Sequence, residues 1–137
     1  MMSIEESRRY GIDEPEAYFE WGTKDDEGYM RVGPNHRWGS IALTHQKHCL
    51  RKFREALSMD SPPAGPTRTH CEHCLSFVRQ HILCAADITL EPGDAFARNF
   101  TAERVTGDRE CMDAEAFYAS MWEGNTRWLE FMRDSSV

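Results

Sequence analysis

A chain of 137 residues, 40% of them hydrophobic, is long enough for one domain with a buried core, and we expect residues 1–137 to form a single domain. Its net charge of -7 and the lack of a Lys/Arg-rich run argue against nucleic acid and anionic membranes as partners, because phosphate binding requires a basic face. No apolar stretch approaches the ~18–20 residues of a membrane-spanning helix, so no membrane is expected as a partner of this chain.

The N-terminal part of the chain, residues 1–36, is expected to be a lead-in segment of loops. Within it, residues 14–21 predict a short helix and residues 25–28 predict a turn. Tyr29 to Val32 is a candidate short strand, and His36 follows a Gly-Pro-Asn loop. This segment therefore contributes little regular structure to the expected fold.

Two helices are predicted in the middle of the chain. Thr44 is a candidate N-cap for the first, which lacks helix breakers from Gln46 to Met59. The loop over residues 60–66 is too rich in proline to be helical, and Thr69 then caps a second helix that extends to about Ala86. These two helices are therefore expected to form a helical hairpin over residues 44–87.

A third helix is predicted from Asp113 to Arg133 by a broad apolar face, with Gly124 and Asn125 as a candidate break. Residues 88–90 favour an extended conformation, and residues 95–111 favour no single structure. The expected fold class is therefore mainly α: a small single-domain helical fold with a central helical hairpin, long loops, short strands and a C-terminal helix over residues 112–133.

One short pattern occurs twice in the predicted hairpin. Thr-His-Gln-Lys-His-Cys-Leu begins at Thr44, and Thr-His-Cys-Glu-His-Cys-Leu begins 25 residues later at Thr69. Residues i and i+3 share one face of a helix, so each HxxHC box presents two imidazoles on one side. The simplest arrangement of the hairpin turns the two pairs toward each other. The four histidines concerned are His45, His48, His70 and His73.

Four imidazoles on facing helices predict a metal site, because histidine is the commonest metal ligand and suits copper, zinc, iron and nickel. Two alternatives remain open. The histidines could be ordinary side chains with hydrogen-bond partners, or Cys71 and Cys74 could join His45 and His48 in a structural zinc site. A helical wheel places Cys71 in the apolar stripe beside the ligand face, which argues against the zinc site.

The cysteines admit three interpretations. In an oxidising compartment we expect two disulfides among Cys49, Cys74, Cys84 and Cys111, with Cys71 as the odd thiol. Cys84 and Cys111 are the natural partners available to Cys49 and Cys74. These two could instead ligate metal, or all four could remain as reduced, buried thiols.

Two further histidines lie outside the boxes. His36 is a candidate catalytic residue, as a loop ligand or proton shuttle, although a surface role explains it as well. His81 lies on the ligand face of the second helix, one turn after Phe77, where a core or supporting role fits better than ligation.

The two HxxHC boxes, together with the run from His73 to Glu91, resemble the UstYa-like oxidases of fungal secondary metabolism. The resemblance covers roughly residues 4–125 and includes the Gly33-Pro34-Asn35-His36-Arg37 and Tyr10-Gly11-Ile12-Asp13 segments. It implies a copper-dependent oxidase of the secretory pathway that cyclises, desaturates or hydroxylates a peptide or other small natural product. It places copper on His45, His48, His70 and His73, and the family's characteristic cysteines at Cys49, Cys74, Cys84 and Cys111.

The chain departs from the family pattern in three ways. The N-terminal anchor that the resemblance implies is not visible. Arg109 stands where many relatives have a histidine, and Lys47 where relatives often have leucine. The change at Arg109 keeps open a degenerate member that supports an active partner in a homo- or hetero-oligomer. A non-catalytic structural-zinc module is a separate alternative.

Overall fold

The computed structural model describes residues 2–5, 10–14, 28–90, 96–97, 99 and 105–135. Within these ranges the fold is mainly α, as predicted, with three long helices and four short strands. The helices are α1 (Ala42–Leu57), α2 (Gly65–Ala85) and α3 (Ala114–Asp134). The strands are β1 (Met2–Glu5), β2 (Tyr29–Val32), β3 (Arg37–Ser40) and β4 (Val105–Arg109). Most of the helix and turn expected over residues 14–21 and 25–28 lies outside the described residues.

α1 and α2 form the predicted helical hairpin, but the predicted N-caps are wrong. The N-caps are Ile41 and Ala64, so Thr44 and Thr69 lie inside the helices. Each threonine hydroxyl instead donates to a backbone carbonyl one turn earlier: Thr44 to Ile41 O at 2.7 Å and Thr69 to Gly65 O at 3.3 Å. A threonine inside a helix can satisfy its hydroxyl by such a bond to the preceding turn.

The predicted loop also ends earlier than expected, because Gly65 and Pro66 belong to the first turn of α2. Proline is tolerated there, since the first backbone N–H groups of a helix have no intrahelical acceptor. Pro62 and Pro63 remain in the loop between α1 and α2.

α3 begins as predicted, with Asp113 as its N-cap accepting a hydrogen bond from Ala116 N at 2.9 Å. The candidate break at Gly124 and Asn125 is wrong, because the helix continues through both. Gly124 is buried where α3 approaches β2, and a Cβ there would lie 3.4 Å from Met30 Cε. The glycine therefore permits close packing without ending the helix.

The strands form two antiparallel pairs, β1 with β4 and β2 with β3. Tyr29 pairs with Ser40 and Val32 with Arg37, so the expected strand at Tyr29–Val32 is confirmed as half of a hairpin. β1, β3 and β4 were not predicted, because segments of four or five residues carry little periodicity and these three have fewer apolar residues than Tyr29–Val32.

The junction before α1 is tightly packed around Thr44, which is 1% exposed. Its hydroxyl lies 3.1 Å from Gly28 O, and that same carbonyl accepts Ile41 N at 3.3 Å. Gly28 has φ +82, and a Cβ on it would overlap the Thr44 side chain. Gly28 thus holds the chain before β2 against the first turn of α1.

Two basic residues of α1 connect it to other parts of the fold. Lys47 Nζ donates to Tyr118 Oη of α3 at 3.1 Å. Arg54 donates to Gly11 O at 3.3 Å and to Glu14 O at 2.6 Å in the N-terminal segment. These contacts position α1 between α3 and the N-terminal segment. In the described part of the chain, no helix is both long and apolar enough to cross a membrane.

Candidate metal centre

The helical hairpin brings the four box histidines together. Across the two helices, the ring centroids of His48 and His70 are 5.2 Å apart, and those of His45 and His73 are 5.5 Å apart. Within each helix the separations are longer, at 6.2 Å for His45–His48 and 6.3 Å for His70–His73. The four rings therefore form a quadrilateral whose shorter sides cross between α1 and α2.

These distances reveal a local twofold relation between the two boxes. Adding 25 to a position in the first box gives its equivalent in the second, so the contact between His45 and His73 is equivalent to that between His70 and His48. The near-equal centroid distances of 5.5 and 5.2 Å fit this relation. An antiparallel pair of helices carrying the same motif produces such a relation, because each helix presents the same face to the other.

One cross-helix pair already brings two ring nitrogens close together. His48 Nε2 lies 3.3 Å from His70 Nε2. Two nitrogens that bind one ion at the usual ~2.0–2.1 Å with a tetrahedral angle lie about 3.3 Å apart. The separation also fits an N–H···N hydrogen bond in which one ring donates and the other accepts.

The other pair lies against an aromatic wall. The centroid of the Phe77 ring is 4.0 Å from that of His45 and 6.2 Å from that of His73. The His81 ring contacts Phe77 as well, with a centroid distance of 4.3 Å. Burial lowers the pKa of His45, and the neighbouring histidines, His73 first, lower it further. The neutral imidazole that a metal requires is therefore favoured at this position.

Arg51 contacts one of the four histidines, and the sequence analysis did not predict this contact. Its Nη2 lies 3.3 Å from His48 Nδ1, the ring nitrogen away from His70, and donates to it in the tautomer that carries the ring proton on Nε2. Arg51 follows His48 by three positions on the same helix, and this spacing was the available signal. The two ends of the quadrilateral thus differ, with an arginine beside one pair and a phenylalanine beside the other.

Cys49 and Cys74 occupy equivalent places in the two boxes and meet between the helices. Both are fully buried, at 0% exposure, and the Cys74 thiol lies close enough to the Cys49 thiol to affect its pKa. Burial first, and then the contact with Cys74, raises the pKa of the Cys49 thiol to about 12. Cys71 is half-buried, and Cys84 and Cys111 are exposed.

Whether these residues fit a metal depends on donor chemistry and placement. Among the described residues, no three His, Cys, Asp or Glu side chains converge closely enough to hold one ion as they stand. The arrangement supplies two cross-helix imidazole pairs instead of a closed cage, and His73 is exposed on the open side. Paired imidazoles fit copper, for which nitrogen ligands are well suited. The zinc alternative would need Cys74, whose thiol faces Cys49.

His36 occupies the turn between β2 and β3, with φ 48. Its ring lies 4.1 Å from Phe131 and 5.2 Å from Trp128, both on α3. The guanidinium of Arg31 lies over the same Trp128 ring at 4.6 Å. A catalytic role for His36 stays a prediction, and within the described part of the chain its ring contacts α3.

Arg109 forms an ion pair instead of offering a ligand. Its Nε lies 3.4 Å from Asp87 Oδ2, just after the end of α2, and its side chain is only 17% exposed. Asp87 Oδ1 also accepts hydrogen bonds from Thr89, at 2.6 Å from the hydroxyl and 2.9 Å from the backbone N–H. The pair connects β4 to the end of α2.

These contacts predict a pH-dependent contribution to stability. The Thr89 hydroxyl and N–H, and then Arg109, lower the pKa of Asp87 in the folded state. The contribution is therefore present above the unfolded pKa of about 3.9 and is lost as the pH falls through the lower folded value. We expect Asp87→Asn to lower the urea midpoint at pH 7, with the difference shrinking below about pH 4. Thr89→Val, which removes one donor, should give a smaller loss, and equal midpoints at pH 7 would contradict the prediction.

Comparison with known proteins places this chain in a family. The family model described as "Mycotoxin biosynthesis protein UstYa" matches residues 1–125. The chain is 36% identical over 109 residues to UstYa family oxidase phomYd of Diaporthe leptostromiformis, an alignment that covers 74% of this chain and 34% of that protein.

Two proteins of Aspergillus flavus are also similar. Oxidase ustYa is 32% identical over 84 residues, covering 53% of this chain and 38% of that protein. UstYa family oxidase aprY is 29% identical over 134 residues, covering 80% of this chain and 39% of that protein. The chain thus spans little more than a third of the length of these curated relatives. No solved structure matches it. Since the family model covers most of its length, the chain belongs to the UstYa family of mycotoxin biosynthesis proteins.

Proposed function

We propose that this chain is an oxidase of fungal secondary metabolism that binds copper through His45, His48, His70 and His73 and oxidises a peptide or other small natural product. The observation that carries the proposal is the quadrilateral of imidazoles between α1 and α2, with two cross-helix centroid distances of 5.2 and 5.5 Å. The names of similar proteins, which include the word oxidase, favour the reaction class. The proposal includes the identity of the metal, the class of substrate and the location of the protein in the secretory pathway.

The chain's own residues would do three things at such a site. Each cross-helix pair would hold a copper ion, and copper bound there would supply one-electron redox chemistry. Phe77 and the burial of His45 keep one pair in a partly apolar setting that favours neutral imidazole. The exposed side at His73 leaves an approach from solvent for a substrate.

Metal analysis tests the first step of this proposal. The purified chain would be loaded with copper, passed through a desalting column and analysed by inductively coupled plasma mass spectrometry. We expect retained copper in the parent chain and only background in the His45→Ala/His48→Ala/His70→Ala/His73→Ala variant. Circular dichroism of both proteins checks that the hairpin remains helical. Equal copper in the two proteins, with equal helicity, would overturn the proposal.

Oxidation is tested separately, with peptide mixtures and a reductant under air. We expect products lighter by two hydrogens or heavier by one oxygen in mass spectra, present with copper-loaded parent and absent with the quadruple variant. Zinc retained in place of copper would instead support a structural zinc module.

A non-catalytic partner role is the second candidate. It is favoured by the observation that no three ligand-type side chains converge in the described part of the chain, and by the ion pair that engages Arg109. It predicts that the chain alone retains copper without oxidising any substrate and becomes active only with a second family member. Turnover by the purified chain alone would exclude it.

A further inference from the structure

The most buried side chains of the described fold include two thiols that face each other. Cys49 and Cys74 are each 0% exposed, and the Cys74 thiol is the neighbouring group that acts on the Cys49 thiol. One comes from α1 and the other from α2, so their contact spans the hairpin. Such a pair differs from isolated core cysteines, because two buried thiols are neighbours across the interface of two helices.

The local twofold relation explains why these two thiols meet. Cys49 and Cys74 are 25 positions apart, as are the equivalent histidines, so the relation exchanges one cysteine with the other. A pair whose members exchange with each other lies on the twofold axis, whereas each histidine contacts a non-equivalent histidine of the other box. The duplicated box thus places one cysteine of each copy at the centre of the helix interface.

The other cysteines are placed differently. Cys71 is half-buried on α2, one turn before Cys74, while Cys84 and Cys111 are exposed near the ends of α2 and β4. Cys111 Sγ lies 3.7 Å from Arg109 O, and the Arg109 side chain forms an ion pair with Asp87, just beyond the end of α2. Neither exposed cysteine is the partner that the structure gives to a box cysteine.

We infer that Cys49 and Cys74 form an intrachain disulfide that joins α1 to α2 when the chain folds in an oxidising compartment. The two thiols lose two electrons and two protons to form one S–S bond. A molecule of glutathione disulfide takes up both and is reduced to two molecules of glutathione. The inference chooses one pairing among those that the sequence left open, and it excludes these two sulfurs as metal ligands.

The position of this bond gives it a role for the neighbouring histidines. Cys49 directly follows His48, and Cys74 directly follows His73, so the bond would fix how α1 and α2 align along each other. A one-turn slip between the helices would separate both cross-helix imidazole pairs. The disulfide itself does not depend on the proposed copper chemistry and can be tested without metal.

Peptide mapping of the unsubstituted chain is the direct test. The chain would be secreted from a fungal host, or refolded with glutathione disulfide, and then denatured and alkylated with iodoacetamide without reductant. Trypsin cuts after Lys47, Arg51, Arg68 and Arg79, which puts Cys49 in His48–Arg51 and Cys74 in Thr69–Arg79. We expect these two peptides joined and two hydrogens lighter than their sum, with Cys71 alkylated in the fragment spectrum.

Matched variants give the controls. Cys71→Ser should leave the joined peptides intact, whereas Cys74→Ser should abolish them even though it changes the same tryptic peptide. The mapping of the unsubstituted chain decides the question if Cys74→Ser fails to fold.

Three results would overturn the inference. Cys49 could be joined to Cys84 or Cys111, or Cys49 and Cys74 could both be fully alkylated after oxidative folding. The third result is that Cys49 and Cys74 become alkylated without reductant, but only after a chelator has been added. That result would mean that the two sulfurs are thiolate ligands of a metal and are not joined to each other. If the unsubstituted chain contained the joined peptides but failed to retain copper, the proposed function would be contradicted and the disulfide would still be supported.

Discussion

Replacing His48 by Ala is expected to weaken copper binding by at least about 100-fold, and adding His70→Ala is expected to cost little more. The reason is the cross-helix geometry, in which His48 Nε2 and His70 Nε2 are 3.3 Å apart and can bind one ion together. Losing either imidazole leaves a single ligand, so the second substitution removes little that remains. The measurement is a competition titration with a chromogenic copper chelator on both single variants and the double variant.

The same experiment on the other pair separates a pairwise site from other arrangements. His45→Ala and His73→Ala should likewise be non-additive with each other, because their rings are the second cross-helix pair at 5.5 Å. His81→Ala is a matched control, since it removes an imidazole from α2 that lies beyond Phe77, and it should change affinity only a few-fold. Strong coupling within one helix, between His45 and His48, with additive effects across the helices, would refute the pairwise arrangement.

Gly28→Ala is expected to lower the free energy of unfolding by about 2–5 kcal/mol. Two penalties combine. A residue with a Cβ is strained at φ +82, which costs about 1–2 kcal/mol, and the new methyl overlaps the Thr44 side chain, which is 1% exposed and cannot move into solvent. Overpacking of this kind adds roughly 1–3 kcal/mol.

Gly33→Ala provides the matched control. Gly33 also has positive φ, at +70, but nothing lies within 4 Å of the added Cβ. Only the backbone penalty of about 1–2 kcal/mol should therefore appear. Urea unfolding followed by tryptophan fluorescence measures both variants, and equal losses would show that the contact with Thr44 contributes nothing.

These two predictions depend on structural features that differ in how well the sequence announces them. The HxxHC boxes are visible as residue letters, and the 3.6-residue period of a helix places each His pair on one face without any tertiary information. The contact between Gly28 and Thr44 joins positions 16 apart across a strand hairpin, and no local pattern indicates it. Glycine at a turn is common, so the close approach becomes visible only when β2, β3 and α1 are assembled.

The errors in the predicted helix boundaries have a similar origin. Thr44 and Thr69 have the residue type of an N-cap, but a hydroxyl inside the first turns can bond to a carbonyl one turn earlier, and both do. Gly124 has the residue type of a helix breaker, but packing against Met30 compensates for its low helix propensity. At Gly124 a local preference was outweighed by a contact formed elsewhere in the fold, whereas at the two threonines a local bond to the preceding turn took the place of capping.

The amino-acid sequence alone specified the mainly α fold, the hairpin of two matching helices and the four imidazoles that face each other, because these follow from helical period and a short Pro-rich loop. Only the tertiary structure decided that His48 meets His70, that His45 meets His73 and that Cys49 meets Cys74. The physical reason is that a helix period defines a face, whereas the alignment of two faces along their axes depends on side-chain packing between helices. It also showed the two imidazole pairs to be unequal, since Arg51 and Phe77 reach different ends of the quadrilateral.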